Sequence, residues 1–162
     1  MRSISSIISY ELLEIICLEY LLNWNGVHGF KHWVRVRENG LRLASINGAD
    51  KRLVELFSFL HDSKRENDSW DPLHGKRAAM FAQKINKKFL KLKPSELKIL
   101  MQACEDHSYG LTTGNIIVQT CWDADRLDLG RVGVRPTPVN LCTSEAKSIE
   151  MIEWAYNNSI KI

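Results

Sequence analysis

The sequence predicts an all-α fold, a single-domain helical bundle of six or seven helices over residues 1–162. Three observations carry this expectation. Apolar residues recur at helical spacing in successive segments, prolines and capping side chains stand where helices would begin, and no stretch alternates long enough to make a convincing strand. A chain of 162 residues with 44% apolar content is long enough for one compact domain with a real core and short for two. No internal repeat or low-complexity tract is present.

Ile8, Leu12, Ile15, Ile16 and Leu22 follow a helical period, so a first helix is expected to end near residues 23–26. The apolar stretch over residues 4–24 reads as a soluble helix rather than an anchor or targeting segment. Glu11, Glu14 and Glu19 interrupt it at helical spacing, and no small-residue cleavage site follows. A second helix should run from about residue 28 to residue 46. Gly40 lies inside it and predicts a kink or break, because glycine costs roughly 1 kcal/mol against alanine in a helix interior.

Asp50 stands where it would cap a third helix carrying Leu53, Val54, Leu56, Phe57, Phe59 and Leu60. That helix ends at His61-Asp62 and opens into a polar, charged loop over residues 63–71. Pro72 suits the first turn of a fourth helix with His74, Ala78, Ala79, Phe81 and Ile85, and Pro94 that of a fifth running to His107. A sixth, from about Thr113, carries Ile116, Ile117, Val118, Cys121 and Trp122 into the acidic run Asp123-Ala124-Asp125-Arg126-Leu127-Asp128. After a loop with Gly130, Gly133, Pro136 and Pro138, Thr143-Ser144-Glu145 signals the start of a last helix through Ile149, Ile152 and Trp154.

The net charge of +3, from 22 basic and 19 acidic residues spread along the chain, argues against nucleic acid as a partner while tolerating an anionic substrate. Cys17, Cys104, Cys121 and Cys142 are widely separated and contain no C-x-x-C pair, which favours neither a zinc knuckle nor a disulfide framework. A reducing cytoplasmic setting without membrane contact fits best. Oligomeric state is left open.

His61-Asp62 closes an apolar run and so places an imidazole and a carboxylate at the end of a core-facing helix. Both are costly to bury unpaired, and a divalent cation satisfies both at once. Five histidines are available as ligands: His28, His32, His61, His74 and His107. His28 and His32 are four apart, the spacing of a zinc-protease helix, but Gly29 stands where that chemistry needs glutamate.

The order His32-x-x-Arg35-Val36, then His61-Asp62, then Ala124-Asp125-Arg126-Leu127-Asp128 resembles the HD superfamily of metal-dependent phosphohydrolases over residues 28–138. The resemblance implies a helical bundle that holds a divalent metal through His32, His61, Asp62 and a late aspartate. Asp123 and Asp125 point about 200° apart on a helix, so both cannot readily face one ion. Asp125 follows Val118, Cys121 and Trp122 on an apolar stripe, and the family pattern of an aspartate between an alanine and a second acid agrees. Asp123 is the alternative, as a ligand, as an acceptor behind a ligating histidine, or as a salt-bridge partner.

His74 and His107 sit where many members of the superfamily carry extra histidines, which bind a second metal or contact the substrate phosphate. The implied cofactor is one divalent ion or two, drawn from manganese, iron, cobalt, nickel, zinc and magnesium. Lys64 is the residue expected to contact phosphate and Glu66 the expected acid, with Lys76, Arg77, Arg131 and Arg135 as further anion-binding candidates. Trp70, in the same polar loop, is a candidate for stacking on a base or sugar, against a simple loop anchor.

The function implied is hydrolysis of a phosphate ester or anhydride of a small molecule, nucleotides first, by metal-activated water. A metal-dependent nuclease is a second reading, opposed by the missing basic stripe. A non-catalytic nucleotide-sensing module is a third.

Overall fold

The structure is a computed structural model that describes residues 5–161. Seven α-helices and no strand are present among the described residues. Ile4, at the head of the apolar N-terminal stretch, lies outside them.

Helix α1 (Tyr10–Glu19) starts at Ser9, whose hydroxyl accepts the N–H of Leu12. It ends earlier than the apolar spacing predicts. Tyr20 leaves the helix in extended conformation (φ −82°, ψ 120°), turning its ring edge-on to Trp24 and Trp33. Helix α2 (Phe30–Asn47) runs unbroken through Gly40 and stops at Gly48, whose φ of 76° requires no Cβ. The expected break is absent, and Gly40 is instead a contact point. A Cβ there would lie 2.4 Å from Val54 Cγ1 and 3.3 Å from Ala124 Cβ, so the missing side chain admits two neighbouring helices.

Helix α3 (Lys51–Leu60) is capped by Asp50, which accepts the N–H groups of Arg52 and Leu53. Every residue from Leu53 to Leu60 is buried, and the helix touches α2, α4, α5 and α6. An all-round apolar sequence is what a central helix needs. Glu55, on that buried helix, is paired with Arg37.

Helix α4 (His74–Ile85) begins later than Pro72 predicts, with Leu73 at its cap and a π-helical turn over Asn86–Leu90 at its far end. Helix α5 (Pro94–Asp106) has Pro94 in its first turn and His107 as its C-cap. Helix α6 (Ile116–Arg126) is capped by Asn115. Short 3₁₀ turns at Leu129–Val132 and Pro138–Asn140 lead to α7 (Ile149–Ser159). That last helix starts at Ser148, not at Thr143. The Thr143 hydroxyl donates to Asp123 and accepts the N–H of Ala146, so the apparent helix cap serves a turn that fastens the chain to α6.

The main core joins α1 to α6 around Trp33, Phe57, Phe59 and Trp122. A smaller one beneath α7 holds Leu43, Leu127, Leu141 and Ile152. No helix among the described residues is long and apolar enough to cross a membrane.

Candidate metal centre

His32 is placed by a tight entry into α2. Gly29 passes so close to the Trp24 carbonyl that a Cβ would lie 2.1 Å from its oxygen, and the Phe30 N–H donates to that oxygen at 2.9 Å. His61 caps the central helix α3, Asp62 follows it, and Asp125 lies in the last turn of α6. His32 and His61 are wholly buried and Asp62 is 2% exposed, whereas the Asp125 side chain keeps 17% of its surface open.

Their donor atoms converge. His32 Nε2 lies 3.1 Å from His61 Nε2, 3.4 Å from Asp125 Oδ1 and 3.7 Å from Asp62 Oδ2. His61 Nε2 lies 3.7 Å from Asp125 Oδ1 and 3.8 Å from Asp62 Oδ2. Donors bound to one ion at roughly 2.0–2.2 Å stand roughly 3.0–3.5 Å apart, so only a small relaxation separates His32, His61 and Asp62 from a shared coordination shell, while Asp125 also groups with His61 and His107.

The hydrogen bonds on the far sides of the rings define their chemistry. His32 Nδ1 is 2.7 Å from Asp128 Oδ2 and His61 Nδ1 is 3.2 Å from the Phe57 carbonyl, both acceptors only, which assigns the protons to Nδ1. Two Nε2 lone pairs then face each other. A proton or a cation between them must relieve that contact, and burial pushes the His61 imidazole down to about 3 against the pull of Asp62 and Asp125. With His61 held neutral, the residues fit a metal ion. Asp128 is itself fixed by Arg35, which donates to both of its oxygens at 2.6 and 3.2 Å. Such a partner orients a ligating imidazole and raises its basicity.

The arrangement is repeated on the other side of Asp62. His74 Nε2 and His107 Nε2 are 2.8 Å apart, and their Nδ1 atoms face the carbonyls of Asp71 (2.5 Å) and Cys104 (2.7 Å). Asp62 Oδ1 lies 3.2 Å from the first Nε2 and 3.6 Å from the second. One carboxylate thus turns an oxygen to each histidine pair, and Asp62 with His74 and His107 forms a second group that could hold an ion. Burial would raise the Asp62 carboxyl, but the His61, His107 and His74 imidazoles around it hold it well below the ordinary carboxylate range. Asp125 is lowered in the same way, chiefly through His32 and His61 against the cost of burial. For His107, burial is outweighed by the neighbouring Asp62 and Asp125 carboxylates, which push its imidazole above the usual histidine value.

Other expected site residues are used elsewhere. Asp123 is buried on the opposite side of α6, accepting the N–H groups of Cys142 (2.6 Å) and Thr143 (2.8 Å) and the Thr143 hydroxyl (2.7 Å). It touches no histidine; the acceptor behind His32 is Asp128. Lys64 is turned to α1, where it binds Glu19 at 2.7 Å. Glu66 is exposed and lies 3.5 Å from Arg77. Arg131 donates to the carbonyls of Val27 and Asp128, and Arg135 pairs with Glu153 and covers the Tyr156 ring. His28 pairs with Asp68 rather than with the cluster.

The cation that does reach the cluster is Arg65, with Nη1 3.4 Å from Asp62 Oδ1 and 3.2 Å from His74 Nε2. A turn closed by the Arg65 N–H on the Asp62 carbonyl at 3.2 Å brings the two side chains together, a three-residue offset that the sequence already contains.

No protein-family model and no curated protein matches this chain. The fold is similar to the crystal structure of a predicted HD superfamily hydrolase from an uncultured Thermotogales bacterium, with a TM-score of 0.71 and 25% identity over 91% of this chain and 84% of that one. The chain has the HD-domain fold. Within that fold, the buried histidines and aspartates form groups that could hold a divalent metal ion, with α3 supplying the central pair.

Proposed function

We propose that this HD-domain protein is a metal-dependent phosphohydrolase acting on a phosphate ester or anhydride of a small molecule, with nucleotides the first class to try. The single observation that carries the proposal is the pair of opposed imidazole lone pairs on each side of Asp62. The four buried rings turn their Nε2 atoms inward to face one another in two pairs, and Arg65 reaches one of the four, that of His74. We assign His32, His61, Asp62 and Asp125 to a first ion, and Asp62, His74 and His107 to a second.

A divalent ion bound there supplies Lewis acidity, lowering the pKa of water toward neutrality and offsetting charge on phosphoryl oxygens. The chain's own residues do the rest. Asp128 and the Phe57 carbonyl hold His32 and His61 with Nε2 forward. Asp62 keeps one oxygen on each side, and Asp125, the ligand candidate with an open edge, faces arriving water. Arg65 presents a guanidinium beside Asp62 and His74, where it donates to a phosphoryl oxygen. The dispersed charge of +3 gives a nuclease no basic track. The four unpaired cysteines support a reducing, cytoplasmic setting, and the chain works as one domain.

Elemental analysis of the purified protein, followed by phosphate release from nucleotides and sugar phosphates with each of the six metals supplied, tests the proposal. His61→Ala and Asp62→Ala should lose metal and turnover while keeping the helical circular dichroism. Undiminished turnover in either variant would refute it.

A further inference from the structure

Trp70 is in an unusual place for a tryptophan. Its side chain is 83% exposed, whereas Trp33 and Trp122 are fully buried. An indole offers a large apolar surface that folding normally removes from water. The loop that carries it is nevertheless knit from within. Arg65, 8% exposed, donates to the carbonyls of Asn67 at 3.3 Å and Ser69 at 3.0 Å. The Glu66 N–H donates to Asp71 at 2.8 Å, and Arg77 grips both oxygens of that carboxylate at 2.7 and 2.6 Å. The Arg65 guanidinium that helps brace this loop also contacts His74 and Asp62, which ties the loop carrying Trp70 to the histidine–aspartate cluster.

Trp70 borders a cleft of about 170 Å³ that reaches Arg65 and His74 and is flanked by Ser108 and Tyr109. Tyr109, two residues beyond His107, is 54% exposed. The buried Arg65 and His74 form a polar floor, and the two exposed rings form an aromatic rim. At roughly 30 Å³ per water, the cleft has room for about five or six waters, which suits one ring or one phosphate rather than a whole nucleotide.

We propose that Trp70, with Tyr109, grips a planar aromatic ring on the leaving group and thereby determines specificity for phosphate esters of nucleosides over those of simple sugars. The phosphate lies toward Arg65 and the base stacks on the indole, a contact that tolerates any base because each has a π-face. A loop braced before substrate arrives spends little of that contact on ordering. The inference rests on the phosphohydrolase reading above.

The test compares a nucleoside 5′-monophosphate with ribose 5-phosphate, the same ester without the base, on the metal-supplied protein. In the wild type kcat/KM should favour the nucleotide by roughly 5- to 150-fold, the range one stacked base provides. Trp70→Ala should collapse the ratio toward one, mainly through KM, and Trp70→Phe should restore most of it. As a readout independent of turnover, titration with nucleoside 5′-monophosphate should quench tryptophan fluorescence in the wild type and not in Trp70→Phe. If both esters are hydrolysed at a ratio indifferent to residue 70, the ring grip is overturned and the hydrolase stands. If neither is hydrolysed with any metal, the hydrolase reading fails and the fluorescence titration alone decides: quenching lost in Trp70→Phe supports the grip, and no quenching ends it. Trp70→Ala that alters self-association in gel filtration but not the ester ratio also overturns it.

Discussion

Replacing Asp128 by asparagine separates the orientation of a ligand from the rest of the site. The carboxylate accepts from His32 Nδ1 at 2.7 Å and from Arg35 at 2.6 and 3.2 Å, and it is wholly buried. Asparagine keeps the shape but offers one acceptor, and its amide hydrogens must face either an imidazole N–H or a guanidinium. Removing a partner of this kind typically weakens metal affinity by about 10- to 100-fold, or about 1.4–2.7 kcal/mol. Calorimetric titration of the metal-free variant with Mn²⁺ measures it. The matched control is Asp123→Asn, an equally buried aspartate on α6, five residues before Asp128, that accepts three bonds and touches no histidine. That variant should lose about 1–3 kcal/mol of folding stability in urea while its metal affinity stays near wild type. Wild-type affinity in Asp128→Asn, or an equal loss in both variants, would refute the assignment of Asp128 as the residue that aims His32.

Gly40→Ala should destabilise the protein by about 1–3 kcal/mol in urea titrations although alanine is the better helix former, because its methyl group meets Val54. A midpoint at or above wild type would contradict the close approach. Metal affinity should fall on acidification, since a ring nitrogen must be unprotonated to ligate. His107 is held above 6.5 by Asp62, so the loss should set in above pH 6.5 and deepen as the pH drops, which titrations across pH 6–8 would show. Among the thiols, Cys17 is exposed, Cys104 and Cys121 are buried, and Cys142 is pushed up to about 12 by burial and Asp123. A disulfide reagent at pH 8 should therefore modify Cys17 first in the folded protein, and mass mapping that finds Cys142 modified first would count against this ordering.

The parts of the fold that were legible in the sequence are those decided locally. Asp50 and the apolar run behind it mark α3 because a cap and a continuous core face act within ten residues. The features that were not legible depend on distant partners. Gly40 looked like a defect because the reason for it, Val54 and Ala124, lies on other helices. Thr143 carries the chemistry of a helix cap, yet its hydroxyl is claimed by Asp123, twenty residues away in the chain. The apolar stripe through Val118, Cys121 and Trp122 does lead to Asp125, but the face bearing Asp123 is buried as well, since the segment around Thr143 covers it. Lys64 and Arg65 are chemically alike, and only the turn after Asp62 selects which of them reaches the cluster.

The bond between His32 and Asp128 spans 96 residues of sequence, and the other donors are scattered between them. In an unfolded chain an arriving ion would meet only the adjacent His61 and Asp62, while recruiting the rest means closing loops whose entropic cost precedes any reward. Such a centre cannot template its own scaffold. It would be a late clasp: the bundle must assemble first, with its inward-facing rings tolerated in the interior, and an ion bound there would tighten an architecture that hydrophobic packing has already built.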